Sequence, residues 1–227
     1  MTDTKPDAFS VLAQARTSVR GFTDQHVPDA LLHELLVSAR LAPSGANLQP
    51  GSFVQVRGAV REALSQAMSA AYREGNAEAE DYSYFPDPMP GHLRRRQVAA
   101  ARALYDSMGI AREDRAGRDQ QFERNFRFFD APVALVVTIE RGMGSGCFMD
   151  LGMALYGLLL AAQSRGLASC AIGALASYPT LVRSHLGLGA ESQVVCGVAL
   201  GYADPAQAVN STRTARAELD SYFKVVG

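Results

Sequence analysis

Apolar residues recur along the chain with two spacings, one typical of helices and one typical of strands. A β-branched run from Ala131 to Ile139 predicts a strand covered on both faces. After Pro28, the leucines from Leu31 to Leu36 recur at helical spacing and predict a helix that stops before Pro43. Other helices are predicted over 8–15, 59–73, 92–108, 113–128, 147–165 and 178–186, and other strands over 52–57, 169–172 and 193–201. Few strands among many helices favour a single α+β domain over residues 1–227.

Composition narrows the class of protein. The 227 residues are 48% hydrophobic and 20% charged, which is typical of a packed globular core. Lys and Arg number 22 against 23 Asp and Glu, a balance that favours neither a nucleic acid nor a membrane surface as partner.

The cysteines and the apolar stretches indicate in which cellular compartment the protein is expected. Three widely spaced cysteines form no zinc pattern and no disulfide framework. No basic and then apolar leader opens the chain, and the most apolar stretch, Leu151 to Ala162, is shorter than a bilayer span. A reduced, cytoplasmic protein without a membrane segment is expected.

Familiar catalytic and cofactor motifs are missing from the sequence. The loop 142–147 lies between a predicted strand and a helix, but Cys147 stands where a dinucleotide fingerprint needs its third glycine. The four histidines are scattered singly, so no metal site is predicted, and neither a nucleophile elbow nor a P-loop occurs. If the chain is an enzyme, a bound cofactor is expected to carry its chemistry.

Three polar clusters lie in segments with little periodicity. In the first, an extended chain puts Arg16, Ser18 and Arg20 on one side, where guanidinium groups and a hydroxyl suit a phosphate or a polarised ring carbonyl. The second, residues 42–50, holds two side-chain amides suited to the edge of a heterocycle. The third, residues 210–216, supplies further cations for the same phosphate.

Together and in this order, the clusters RTSVRGF, APSGANLQP and GYADP…NSTRTAR resemble the FMN-dependent nitroreductase family. The resemblance covers residues 10–57 and 131–220. It implies a mixed, mainly antiparallel sheet flanked by helices, in an intertwined homodimer with two FMN sites at its interface. The tail after residue 202 is then expected to cross to the partner subunit.

The resemblance also implies the roles of individual residues. Arg16 and Ser18 match positions that hold the FMN phosphate and ribityl chain, Arg20 matches one near the flavin pyrimidine, and a backbone N–H at Gly173 or Ala174 faces flavin N5 and O4. The full set implied to bind the cofactor is Arg16, Thr17, Ser18, Arg20, Pro43, Ser44, Gly45, Asn47, Gly173, Ala174, Arg213 and Arg216. The loop residues 43–47 match those that the second subunit lends to the site. Asn125 or Arg127 is a further candidate for a flavin contact.

The implied reaction is a ping-pong transfer of two electrons from NADH or NADPH through FMN to a nitroaromatic compound or quinone. No catalytic side chain is expected. Alternatives are reductive dehalogenation or dehydrogenation on the same fold, or a flavin carrier or sensor without enzymatic activity. Gly51 departs from the family, which commonly has an aromatic residue there, and Ala171 and Ala174 replace residues of its usual Pro-Ile-Gly-Gly.

The resemblance leaves residues 76–127 unexplained. Between Gly91 and Arg127 nine arginines face five acids, which is typical of a solvated helical surface. The alternative is a helical lid over the flavin pocket. In that case Tyr82, Tyr84 or Phe85 stacks on an aromatic substrate, and one of Arg94, Arg95 and Arg96 binds a substrate carboxylate.

Overall fold

Seven α-helices and four β-strands make up residues 7–227, the part of the chain that this computed structural model describes. The helices are α1 (Ala8–Ala15), α2 (Asp29–Ala39), α3 (Gly58–Glu74), α4 (Gly91–Asp106), α5 (Arg115–Glu123), α6 (Ser145–Ser164) and α7 (Pro179–Leu186). The strands are β1 (Ser52–Val56), β2 (Val133–Glu140), β3 (Ala168–Ile172) and β4 (Ser192–Gly201). The hydrophobic pattern predicts each of them, and apart from α5 their ends differ from the predicted ones by only one or two residues.

The strands form one sheet in the order β1-β2-β4-β3, and each neighbouring pair is antiparallel. A single parallel bridge joins Ser18 to Ser169 on the free edge of β3, which makes the sheet mixed. Strand β2 lies in the interior of the sheet, and seven of its eight residues are buried. A strand covered on both faces has no need of polar positions, which is why its sequence is continuously apolar.

Each face of the sheet carries its own hydrophobic core. On one face Ala134 and Val136 of β2 pack with α3, α7 and the aromatic residues of 126–129. On the other, Leu135 and Val137 pack with α2 and α6. Successive side chains of β2 point to opposite faces, so this strand contributes to both cores. The polar clusters lie in loops at the edges of the sheet.

Helix α5 ends earlier than predicted. The sequence predicts a helix to Phe128, but α5 stops at Glu123 and a 3₁₀ segment follows over Arg124–Asp130. Within it Phe128, Phe129 and Asp130 are left-handed, with φ of 53°, 52° and 60°. This turn buries both phenylalanine rings completely in the core under β2. Their helical spacing is therefore misleading, because burial of two rings outweighs the backbone preference.

Helix α6 is longer than the predicted apolar stretch of residues 151–162. It has 20 residues, an 18-residue window of it has a mean hydropathy of 1.5, and by length and composition it is the one helix within the described range that could cross a membrane. The whole helix is therefore long enough to reach across a bilayer, whereas the stretch 151–162 considered in the sequence analysis is not. Leu151, Leu158 and Ala162 pack into the core beside α2, and a buried carboxylate, Asp150, lies in the same helix.

Candidate active site

The first polar cluster lies along the free edge of β3. Val19 is buried and its N–H donates to the carbonyl of Ser169 at 3.1 Å, while Ser18 is exposed and Arg16 and Arg20 are half-buried. Burial raises the pKa of the Cys170 thiol, and the nearby charges of Arg20 and Arg16 partly offset that rise. The edge of β3 thus gathers two guanidinium groups and the Ser18 hydroxyl, with Thr17 between them.

The C-terminal cluster is tied to the same edge. The side-chain oxygen of Asn210 accepts from the N–H groups of Arg20 and Gly21, both at 3.0 Å. Its amide nitrogen donates to the carbonyl of Gly21 at 2.8 Å. A Cβ on Gly21 would lie 2.5 Å from the side chain of Gln207, so glycine allows the tail to approach this closely. Arg213 follows Asn210 by three residues, which brings the third cluster beside the first.

The second cluster lies at the opposite edge of the sheet. Residues 43–50 run directly into β1, which pairs only with β2, whereas Ser18 extends the sheet beyond β3. Four strand spacings separate Ser18 from β1, a distance of roughly 19 Å across the sheet. Within one chain the Pro43, Ser44, Gly45 and Asn47 loop is therefore apart from Arg16 and Gly173.

This loop has an unusual backbone conformation held by specific contacts. Ala46, Asn47 and Gln49 are left-handed, with φ of 50°, 58° and 49°. The Ser44 hydroxyl accepts from the N–H of Gln49 at 2.9 Å, and the N–H of Gly45 donates to the carboxylate of Asp150 at 3.0 Å. Non-glycine residues in this conformation are typical of sites where function, rather than local stability, sets the backbone. Asn47 is exposed, so its amide is available to a ligand.

Gly51 has a structural reason for replacing the family's aromatic residue. Its φ is +90°, and a Cβ there would lie 2.7 Å from Leu151 and 2.9 Å from the carbonyl oxygen of Thr138. We expect Gly51→Ala to lower the free energy of unfolding by about 2–4 kcal/mol, since strain and overpacking add. Gly58→Ala is the control, because Gly58 has a φ of +53° but open space around it. Equal losses for the two variants in urea unfolding would contradict this packing argument.

Gly173 and Ala174 begin a five-residue 3₁₀ helix directly after β3, a position where backbone N–H groups have no partner within the helix. The ring of Tyr84 covers Gly173, and a Cβ on Gly173 would lie 3.0 Å from that ring. Phe85 packs edge-on against Tyr84 at 4.8 Å, and Tyr82 packs between Tyr84 and Phe148. The three predicted aromatic residues thus gather beside Gly173.

The three arginines proposed to bind a substrate carboxylate lie on the exposed helix α4. Arg94, Arg95 and Arg96 are exposed, and Arg94 and Arg95 line a shallow groove with Val98 and Arg102. Arg96 is not among the groove residues. No residue of α4 is buried among the described residues of the chain, so the helix stands on the outside of the protein.

The two other flavin candidates are used elsewhere. Arg127 forms an ion pair with Asp130 at 3.2 Å, in a groove against α3. The Asn125 amide donates to the carbonyl of Phe122 at 2.6 Å. Neither is joined to the first cluster or to Gly173 by a hydrogen bond within residues 7–227.

The arrangement fits a flat cofactor that carries a phosphate. Among the described ion pairs none involves Arg16, Arg20, Arg213 or Arg216, so these arginines have no carboxylate to neutralise them. Such guanidinium groups are suited to a phosphate. At the end of β3, the strand that the first cluster borders, the start of the 3₁₀ helix at Gly173 and the Tyr84 ring offer N–H groups and an aromatic face.

Comparison with known proteins identifies the family. The sequence model of the nitroreductase family matches residues 13–202, most of the chain. The chain belongs to the nitroreductase family. Among its relatives, a chloronitrobenzene nitroreductase of Comamonas testosteroni is 37% identical over 95% of both chains. A 4-nitrobenzoate reductase of Pseudomonas putida is 34% identical over 97% of this chain and 96% of the relative.

Solved structures of nitroreductases have the same fold as this chain. The FMN and NADPH-dependent nitroreductase NfnB from Sphigopyxis sp. strain HMH superposes with a TM-score of 0.93 and is 37% identical, covering 97% of this chain and all of that one. The predicted α+β nitroreductase fold, the flavin-dependent reductase class and FMN with a nicotinamide donor are confirmed. The cytoplasmic location, the homodimer and the individual site residues stay predictions.

Three residues hold parts of the candidate site in place through contacts that the sequence analysis did not predict. Asn210 joins two clusters, Asp150 holds the loop 43–50, and Asp81, described below, anchors the segment that carries Tyr84. The contact of Asp150 could have been predicted from the sequence, since a lone acid in an otherwise apolar helical stretch needs a buried hydrogen-bond donor. The contacts of Asn210 and Asp81 could not be predicted in this way, because their partners are distant in sequence.

Proposed function

We propose that this chain is an FMN-dependent reductase that oxidises NADPH and reduces nitroaromatic compounds as a homodimer. The observation that carries the proposal is the group of arginines along the edge of β3 that have no carboxylate partner among residues 7–227, with Gly173 and the Tyr84 ring at the end of the same strand. The relatives named above act on chloronitrobenzene and 4-nitrobenzoate, which agrees with an aromatic electron acceptor.

Arg16, Ser18, Arg213 and Arg216 bind the FMN phosphate and ribityl chain. Guanidinium groups give charge-assisted hydrogen bonds to phosphate oxygens, and the two ends of the chain supply them together because Asn210 fastens the tail to Arg20. Arg20, whose guanidinium lies 5.9 Å from the Phe129 ring centroid, stabilises negative charge at the pyrimidine edge of the flavin.

FMN bound at this edge would supply two-electron redox chemistry between NADPH and the acceptor. The chain contributes position rather than a reacting side chain. A backbone N–H at Gly173 or Ala174 donates to the flavin edge, and Tyr84 limits the space over it and excludes water. Both substrates use that space in turn, which is the physical reason for ping-pong order.

A second copy of the chain completes the site with its own loop 43–47. Three features support a homodimer: the loop's distance from Arg16 across the sheet, the exposed apolar residues of α6, and the tail. On α6, Met149 is 65% exposed and Tyr156 42%. In the tail, Leu219, Tyr222, Phe223, Val225 and Val226 are all more than half exposed. Apolar surface of this extent is typical of an interface, and we assign it to the partner subunit rather than to lipid.

The experiment that tests the function compares NADPH consumption with and without a nitroaromatic compound. The purified, FMN-loaded protein should oxidise NADPH rapidly only when the acceptor is present. A flavin carrier would bind FMN and leave NADPH unoxidised under both conditions. A panel with halogenated aromatics and quinones separates the other reactions of the same fold.

A preference for carboxylated acceptors is expected if α4 forms part of a lid. Arg94 and Arg95 share a groove and, within the described residues, have no acidic partner. The double change Arg94→Ala and Arg95→Ala should raise KM for 4-nitrobenzoate about tenfold and leave KM for nitrobenzene unchanged, since a charge-assisted contact contributes about 1.5–3 kcal/mol. Arg96→Ala is the matched control. Equal kcat/KM values for the two substrates in the wild-type enzyme would refute the carboxylate site.

A further inference from the structure

The segment between α3 and α4 has no helix or strand of its own, yet it is fixed in place. Residues 75–90 connect the two helices, and connections of this length are usually functional when they are ordered. We call residues 78–85 the strap. The strap holds the aromatic residues that gather beside Gly173, so its anchorage determines where those rings lie.

Asp81 is the main anchor of the strap. Its side chain is 6% exposed, and its carboxylate pairs with Arg141 at 2.8 Å and with Arg183. The N–H of Val194 donates to the same carboxylate at 3.1 Å. Burial acts to raise the pKa of Asp81, but hydrogen bonds from Arg141, Val194 and Arg183 outweigh it and leave that pKa below its usual value.

The residues around Asp81 extend the attachment on both sides. The Asp81 carbonyl accepts from the side chain of Gln193, and the Tyr82 hydroxyl donates to the carbonyl of Val195 at 2.7 Å. Residues 81 and 82 thereby contact three successive residues at the start of β4.

The acidic part of the strap is attached to α7. The carboxylate of Glu78 accepts from the N–H groups of Thr180 and Leu181 at 2.6 and 3.1 Å, in the first turn of the helix. The Glu80 carboxylate accepts from the Ser177 hydroxyl at 2.9 Å. These acidic side chains therefore bind the body of the protein.

The position of Tyr84 depends on this attachment. Tyr84 is 52% exposed and has no hydrogen bond of its own in the described part of the chain, so packing against Gly173, Tyr82 and Phe85 holds its ring. Asp81 lies three residues before it, and its carboxylate is almost fully buried. Removing one partner of a buried ion pair leaves uncompensated charge, here on Arg183 and Arg141, and loosens what the pair holds.

We propose that Asp81 is a positioning residue of the active site: it holds the strap on β4 and α7, which sets the Tyr84 ring over Gly173 and so determines affinity for the aromatic substrate. The inference rests on the proposed function, because the substrate is the nitroaromatic compound that binds beside Gly173. Asp81 itself touches neither substrate nor flavin and acts through Tyr84.

The test is a double-mutant cycle of Asp81→Asn and Tyr84→Ala in the FMN-loaded protein, with Asp106→Asn on exposed α4 as control. Asp81→Asn should raise KM for the nitroaromatic about tenfold, with bound FMN unchanged and kcat within about twofold. In the Tyr84→Ala background the same change should alter KM less than about twofold, because the ring that Asp81 positions is gone. Equal effects in both backgrounds would overturn the proposal.

Amide hydrogen exchange gives a readout that is independent of activity. Exchange across residues 78–86 and at Val194 should be faster in Asp81→Asn and unchanged in Asp106→Asn. If Asp81→Asn does not fold, Arg141→Gln, which removes one donor to the carboxylate, must raise KM in the same Tyr84-dependent way. Unchanged exchange in the strap would refute the anchorage, whereas failure of the wild-type protein to reduce nitroaromatics would refute the proposed function alone.

Discussion

Replacing Arg16 and Arg213 together with alanine is expected to give a folded protein that no longer retains FMN. Both guanidinium groups are free of carboxylate partners in the described structure, and Asn210 brings the segments that carry them to one edge of β3. Each contact with a phosphate is charge-assisted, so each single change should raise the Kd for FMN roughly 10- to 100-fold and the pair should abolish retention during purification. Flavin absorbance per chain and titration of the apoprotein measure this directly.

The control is Arg96→Ala, which removes an equally long cationic side chain from the outer helix α4. The circular dichroism spectrum and the unfolding midpoint of the Arg16→Ala, Arg213→Ala double variant should match those of the wild-type apoprotein, since neither arginine is part of the core. Full flavin retention by the double variant would mean that the phosphate is bound elsewhere.

Mixing two variants of reduced activity is expected to raise activity above that of either one if each site draws on both chains. Asn47→Leu removes the polar side chain of the loop before β1, and Arg16→Ala removes a phosphate contact at β3, roughly 19 Å away across the sheet. In a mixed dimer one site carries both changes and the other carries neither. Random exchange of subunits should therefore restore about a quarter of all sites, since about half of the dimers are mixed.

Each variant by itself is measured alongside the mixture, after unfolding and refolding separately. Size-exclusion chromatography checks that both remain dimeric, because Asn47 is exposed and its loss should not disturb the core. A mixture no more active than the mean of its components would mean that Arg16 and Asn47 serve one site within one chain.

The sequence predicts the sheet and the long helices because their apolar periods agree with what the fold buries. β2 is apolar at nearly every position and is covered on both faces, and α2 shows one buried stripe. The end of α5 could not be predicted, since Phe128 and Phe129 sit at helical spacing while their backbone is left-handed. Only the tertiary core accounts for that turn.

The sequence predicts those parts of the candidate site that are built from residues close together in the chain. It does not predict contacts between residues far apart in the chain. Arg16, Ser18 and Arg20 fall on one edge because an extended backbone alternates. Asp81 meets Arg183 across about a hundred residues of chain, and no local pattern signals the pair. The composition of the strap predicts a loop, and it is one, but no local pattern indicates that three of its carboxylates bind β4, the start of α7 and the segment just before α7.

The measurement that tests the central claim most directly follows the colour of the bound flavin without oxygen. FMN-loaded protein is mixed with NADPH, and after the excess is removed a nitroaromatic compound is added. The account predicts that NADPH bleaches the visible flavin absorbance and that the nitroaromatic restores it while its nitro group is reduced. Flavin absorbance that NADPH leaves unchanged, or that stays bleached after the nitroaromatic is added, would contradict the assignment of this chain as a nitroaromatic reductase.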